Sequence, residues 1–264
     1  MTALLEFSFR RWSAWAPAMT DAEDWQAWAR EGKPLGAGEE TAPVKAMPPL
    51  LRRRAHALGR AALEVLYAPT LAYADQPMVF CSRHGEVSRS LAIQQALAAE
   101  GRVSPQEFSM SVHNAVPGLF LIARQSRAPV VALASENRLA LSGMTEALTQ
   151  LADGASSVIL VFCDASLPAL FGSFINNEPT CFAFALEMTA GKDYRLAYNE
   201  TPNEAAQASE ASALPADSLL SLLRFVLDES QHTLPLTAAA DWRLLRAPMQ
   251  QGALQGLTPE TSHA

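Results

Sequence analysis

Apolar positions along the chain follow two different spacings, and the alternation between them sets out the elements. Unbroken apolar runs of strand length occur at residues 78–81 (MVFC), 130–134 (VVALA) and 157–162 (SVILVF). Such runs are expected of strands covered on both faces. Residues 180–188 (TCFAFALEM) and 194–198 (YRLAY) read as two further strands, a candidate pair, and residues 3–12 alternate through Leu5, Phe7 and Phe9. Between these lie helical spacings. Leu141, Met144, Leu148 and Leu151 mark a helix over 139–152, closed by Asp153-Gly154. Met47-Pro48-Pro49 opens a continuous helix through LLRRRAHALGRAALEVLY, with Leu50, Leu51, Ala55, Leu58, Ala62 and Leu66 on its apolar stripe. Helices are also predicted over 88–100 and 115–123. Another follows Pro215-Ala216-Asp217, with Leu219, Leu222, Leu223 and Val226 on one face. Residues 31–46 are punctuated by Gly and Pro, and residues 199–213 are acidic and rich in Ala and Ser, so both read as loop or linker. The chain beyond Pro248 reads as a frayed tail.

Composition narrows the partners. The 264 residues are 49% apolar, enough for one large domain with an ample core. A net charge of −7 speaks against nucleic acid or an anionic membrane as the main partner. No apolar run approaches the roughly 20 residues of a membrane span, and the opening MTALLEFSFRRW lacks the order of a secretory signal. The three scattered cysteines, Cys81, Cys163 and Cys181, are expected to be reduced thiols in a cytoplasmic chain. Cys81 and His84 have a Cys-x-x-His spacing without a second ligand pair, so neither a metal nor a cofactor is expected. His84 is open to two readings, a pocket residue at a strand end or a turn residue bonded to backbone. Four of the five tryptophans, Trp12, Trp15, Trp25 and Trp28, are expected to anchor the N-terminal segment.

The sharpest chemical clue lies where the 130–134 strand turns into the 139–152 helix. A helix start reached from a strand presents unpaired amides that stabilise an anion, which suits a nucleophile. The turn offers Ser135, Glu136, Asn137 and Arg138, and no cysteine. Cys163, at the end of the 157–162 run, has no arranged base in view and reads as a small hydrophobe.

SPQEFSMSVHNAVPGLFLIAR, a strand led by Pro129, and a helix ending at Gly154 before ASSVILVFCDAS follow the order of β-ketoacyl synthases. FCSRHGEVSRSL together with SVHNAVPG resembles more closely the short ketosynthase-like proteins that act as chain-length factors in bacterial aryl polyene synthesis. The likeness spans residues 47–165. It implies an α/β fold like the N-terminal half of a thiolase-type enzyme, with a mostly parallel five-stranded sheet and helices on both faces. Residues 1–198 would form that half domain, 199–213 a linker and 214–264 a helical extension and tail. The nucleophile position of the family falls at Asn137, beside Glu136. A thiolate is needed there to accept an acyl chain as a thioester, and neither side chain supplies one. No catalytic residue is therefore assigned.

By the same resemblance, Glu107, Phe108, Met110, Val112 and Asn114 fall where one subunit reaches the acyl tunnel of the other. Phe108, Met110 and Val112 are equally readable as core positions at period two. The edge strand Val130, Val131, Ala132, Leu133, Ala134 and Ser135 would continue the sheet into a partner. Arg52, Arg53 and Arg54, the only tight basic cluster, would meet an acidic acyl carrier protein, or else form a solvated face. The histidines that drive decarboxylation in full condensing enzymes have no counterpart, and His232 sits in an unmatched QHTLPL. The implied function is a non-catalytic chain-length factor that pairs with a catalytic β-ketoacyl synthase in aryl polyene or polyunsaturated fatty acid-type synthesis. Two alternatives stay open: an acyl-thioester enzyme working through Cys163 or Ser135, and a homodimeric acyl-binding scaffold.

Overall fold

The computed structural model describes residues 5–19, 21–32, 35–36, 38, 40–174, 180–200 and 218–247. The elements in chain order are β1 (Glu6–Trp15), α1 (Ala22–Glu31), α2 (Pro49–Arg52), α3 (Ala57–Leu66), β2 (Met78–Cys81), α4 (Val87–Glu100), α5 (Pro105–Ser109), α6 (Ala115–Arg124), β3 (Val130–Leu133), α7 (Leu139–Ala152), β4 (Ser157–Asp164), β5 (Phe182–Ala190), β6 (Tyr194–Tyr198), α8 (Leu219–Leu227), β7 (Thr233–Pro235) and β8 (Trp242–Arg246). The α/β class and the helices on both faces are as expected. The five parallel strands are not.

The sheet has eight strands in the order β3-β2-β4-β5-β1-β6-β8-β7. Only β2 with β3 and β2 with β4 run parallel; the other five pairings are antiparallel. Parallel neighbours need a crossover of a dozen or more residues. Within the β2-to-β4 span, α4, α5 and α6 provide one crossover and α7 the other. The expected pairing of β5 with β6 also fails, because β1 lies between them. Phe7 of β1 is opposite Ala190 on one side and Tyr194 on the other. The chain therefore steps across β1 at Gly191, where a Cβ would lie 1.8 Å from Ser8 Oγ.

The sheet divides the interior in two. On one face, Val79, Leu160, Phe162, Phe184 and Phe7 pack with side chains of α1, α7 and α8. On the other, Phe80, Ile159, Val161 and Ala183 pack with α3 and α6. Every residue of β4 is buried, which is why its sequence shows no polar alternation. α7 sits close on the sheet because Gly143 has no side chain: a Cβ there would lie 2.8 Å from Cys81 Sγ and 3.1 Å from the Phe162 ring. Trp25 and Trp28 are buried on α1, which Asp21 caps by accepting from the Asp24 amide at 2.9 Å. The tryptophans anchor as expected: Trp25 and Trp28 meet edge to face, with the Arg224 guanidinium 4.5 Å over Trp28, and Trp12 and Trp15 of β1 pack partly buried against the two cores.

Two expectations need correction. The continuous helix after Met47 is two helices, α2 and α3, separated by a turn at 53–56. The turn is held from outside, by Arg89 Nη2 donating to the Arg54 carbonyl at 2.8 Å. The C-terminal segment does not form a helical extension of its own. α8 joins the first core, and β8 pairs along β6 with β7 beside it, so one sheet takes in both ends of the described chain. Of the acidic linker, residues 201–213 lie outside the described residues, as do Pro215, Ala216, Asp217 and the tail beyond Pro248. Ser218 caps α8.

Candidate functional site

The C-terminal ends of β3, β2 and β4 point the same way, and the turns leaving them form the candidate site. Leu133 leads into the turn at 134–138. Ser135 is half-buried there and Glu136, Asn137 and Arg138 are exposed. α7 begins without a side-chain cap. Its first amides thus adjoin Asn137, the position expected for a nucleophile.

The turn after β2 is more constrained. The Gly85 amide donates to Ser82 Oγ at 3.0 Å, and Gly85 adopts φ +53° with His113 against it. Arg83 forms an ion pair with Asp164 at the end of β4. Burial pushes the Asp164 carboxyl up, against the pull of Arg83 and then His84. His113 stands edge-on to the Phe80 ring, with centroids 6.0 Å apart. Burial holds its imidazole below the ordinary range, against the Leu133 carbonyl and Asp164. This group ties the ends of β2, β3 and β4 together. Among the described residues, no three or more His, Cys, Asp and Glu side chains gather as metal binding requires.

The residues expected at a tunnel separate into three environments. Phe108 and Val112 are 62% and 46% exposed, large apolar side chains on the surface. Met110, 6% exposed, turns into the core under α6. Glu107 carries out neither role: it pairs with buried Arg89 of α4, and His56 Nε2 lies 3.9 Å from its carboxylate. Burial and the Arg89 charge keep the His56 imidazole low, against the pull of Glu107. Asn114 is exposed at the start of α6. Val130, Val131, Ala132 and Leu133 are half-buried on the edge strand of the sheet, and Ala134 is exposed. In the arginine cluster, Arg52 is partly engaged, donating to the Val44 carbonyl at 3.2 Å, while Arg53 and Arg54 are exposed.

None of the three thiols suits nucleophilic chemistry. Cys81 and Cys163 have no solvent exposure, and Cys163 Sγ donates to the Cys81 carbonyl at 3.9 Å. Burial pushes both thiols far up, helped by Glu146 at Cys81 and by Asp164 at Cys163. Cys181 is pushed up to about 12, mainly by burial and then by Asp164. A thiolate is the reacting form, so all three should be inert when folded. At pH 8, iodoacetamide is expected to leave them unmodified over an interval that fully alkylates the chain in urea, as intact mass will report. Labelling of Cys163 in the folded chain would contradict this.

The family is decided by comparison over the whole described core. Residues 25–243 match the beta-ketoacyl synthase, N-terminal domain. The chain is a member of that family. No curated protein matches it. Among solved structures, this ketosynthase-family chain is similar to one in the ketosynthase (ApeO) complex with its chain length factor (ApeC) from Xenorhabdus doucetiae. That match has 24% identity over 92% of this chain and 100% of the other, with a TM-score of 0.74. The ishigamide ketosynthase/chain length factor follows at 14% identity over 77% and 70%, TM-score 0.57. A type II polyketide acyl-carrier protein in complex with its ketosynthase bound to the hexaketide matches at 10% identity over 74% and 69%, TM-score 0.58. At these identities the likeness establishes the thiolase-like ketosynthase fold, here as an eight-stranded mixed sheet.

Arg89 was absent from the sequence reading. VSRS on a polar-looking helix reads as a solvated face. The available signal was Glu86 three residues before it, a spacing that brings the two side chains together on a helix.

Proposed function

We propose that the chain is a non-catalytic chain-length factor, pairing with a cysteine-bearing β-ketoacyl-ACP synthase and shaping its acyl tunnel. The carrying observation is the turn between β3 and α7. It presents Ser135, Glu136 and Asn137 where the family resemblance leads one to expect a nucleophile, while every cysteine of the chain is buried or half-buried elsewhere. An Asn amide forms no acyl intermediate, and a Glu would give a labile anhydride. What this chain brings to a complex is therefore surface. Phe108 and Val112 supply exposed apolar side chains beside the site, and β3 supplies an open sheet edge. Arg53 and Arg54 are the exposed part of the basic cluster and would meet the acidic carrier protein. The similarity to ketosynthase and chain-length-factor structures supports this reading; its assignment to aryl polyene or polyunsaturated fatty acid-type synthesis rests on the resemblance of FCSRHGEVSRSL and SVHNAVPG.

The test is co-expression with a cysteine-bearing ketosynthase of the same host, then size-exclusion with mass determination and elongation from a malonyl-carrier. A one-to-one complex is expected. It should elongate at an unchanged rate after Cys163→Ala in this chain, and stop when the partner's cysteine is replaced. Thioester turnover by the isolated chain that disappears in Cys163→Ala or Ser135→Ala would overturn the proposal in favour of an enzyme.

A further inference from the structure

Helix α4 is held to the body by a charge rather than by apolar packing. Arg89 is its single buried residue, 2% exposed, whereas Leu91 and Ile93 are half-buried and Leu97 is exposed. α5 buries none of its own residues. Arg89 joins three segments. Nη2 donates to the Arg54 carbonyl at 2.8 Å in the turn between α2 and α3, Nη1 donates to Glu107 on α5, and Nε lies 3.6 Å from Glu86. Glu86 is itself buried beside Gly59 of α3, where a Cβ would come within 3.2 Å of its Oε1. A buried guanidinium facing two carboxylates and a carbonyl has one low-energy arrangement, set by its planar fork. Glu107 is thereby pinned on the inner side of a five-residue helix. Phe108, the next residue, is directed outward.

We infer that Arg89 is a positioning residue for Phe108, taken as the gate this chain offers to a partner's acyl tunnel: through Glu107 it fixes the rotation of α5 and so the place of Phe108. The length of the acyl product then depends on a side chain that never meets the acyl chain. This rests on the chain-length-factor reading. The same guanidinium also holds the turn carrying Arg53 and Arg54, so the basic surface and the gate share one support.

The test uses the co-purified complex with Arg89→Met, Arg89→Lys and Glu107→Gln, alongside Phe108→Ala and Phe108→Trp. Hydrogen exchange at residues 105–109 is expected to rise at least about tenfold in Arg89→Met. The carrier-bound products should broaden in length by mass spectrometry. Arg89→Lys keeps the charge without the fork and should recover only part of both effects. The Phe108 variants should move product length without raising exchange. Unchanged exchange in Arg89→Met would overturn the inference. So would raised exchange with wild-type product lengths, if the Phe108 variants do shift them. Product lengths unmoved by both Phe108 variants would instead remove the chain-length reading, and exchange alone would still judge the role of Arg89. If Arg89→Met does not fold, Glu107→Gln, which leaves Arg89 its Glu86 counter-charge, is held to the same outcomes.

Discussion

On the proposed chain-length-factor reading, Ala132→Pro should leave the chain folded and weaken its complex with a catalytic ketosynthase by at least about 100-fold, about 2.7 kcal/mol. The argument begins with the direction of the β3 peptide groups. Met78 N donates to the Pro129 carbonyl and Ser82 N to the Leu133 carbonyl. In a parallel ladder the groups of alternate residues turn to opposite sides. The odd-numbered groups of β3 therefore face β2, and those of Val130 and Ala132 face away from the sheet. Proline at 132 removes an outward N–H and places a ring on that edge, while the ladder to β2 keeps its donors. Each lost hydrogen bond contributes only about 0.5–1.5 kcal/mol. Losing registry along a four-residue strand removes several together. Affinity would be measured by surface interferometry against the ketosynthase, with circular dichroism melting of the free chain as the folding control. Wild-type affinity in a folded variant would mean that the two sheets do not meet at β3.

Gly191→Ala is expected to destabilise the fold by about 3 kcal/mol, lowering Tm by about 6–12 °C. Gly191 lies against β1 where the chain crosses it. An added Cβ would stand 1.8 Å from Ser8 Oγ, 2.6 Å from Ser8 Cβ and 3.0 Å from Ser8 N. The hydroxyl has room to rotate, but the backbone does not, because Phe7 and Thr189 on either side of the crossing belong to paired strands. Ser8 is 1% exposed, so no solvent gap absorbs the insertion. Adding Ser8→Gly should recover part of the loss by removing two of the three contacts. A Gly191→Ala melting point within about 2 °C of wild type would show that the crossing is looser than it stands here.

Much of the central unit was legible because its signals are local. β2 and α7 fall on their expected bounds, and β4 extends its run by two residues. Continuous apolar runs there reflect helices on both faces, and Gly154, with φ +104°, marks the end of α7. The misses arise from contacts between distant residues. Nothing within LLRRRAHALG announces a break; it is held by Arg89, 35 residues away from Arg54. α1 did carry a helix signature, with Asp21 at its start and Gly32 at its end, but its two tryptophans were read only as anchors. β7 is only three residues long and β8 (WRLLR) has arginines on both sides of its two leucines, so neither shows an apolar run; both are strands through pairing, β8 with β6 and β7 with β8. At the candidate site, the lack of a cysteine in the turn at 134–138 was visible as residue type alone. The division of 107–114 into a pinned Glu107, an exposed Phe108 and a buried Met110 was not, because a five-residue helix has no period of its own.

The place of β1 has a consequence for how the protein is made. Residue 7 is paired with residues 190 and 194, so a strand made long before its partners becomes the middle of the finished sheet. At about 5–20 residues per second, Phe7 and Phe9 wait roughly ten to forty seconds for a partner to be synthesised. The β2-β3-β4 unit, with α3, α6 and α7, is complete in the nascent chain by Asp164, before β5 begins at Phe182. Translation thus delivers a finished parallel unit and an unpaired aromatic strand together. During that interval β1 is an unpaired apolar strand, and an avenue to misassembly wherever two ribosomes on one message carry it exposed.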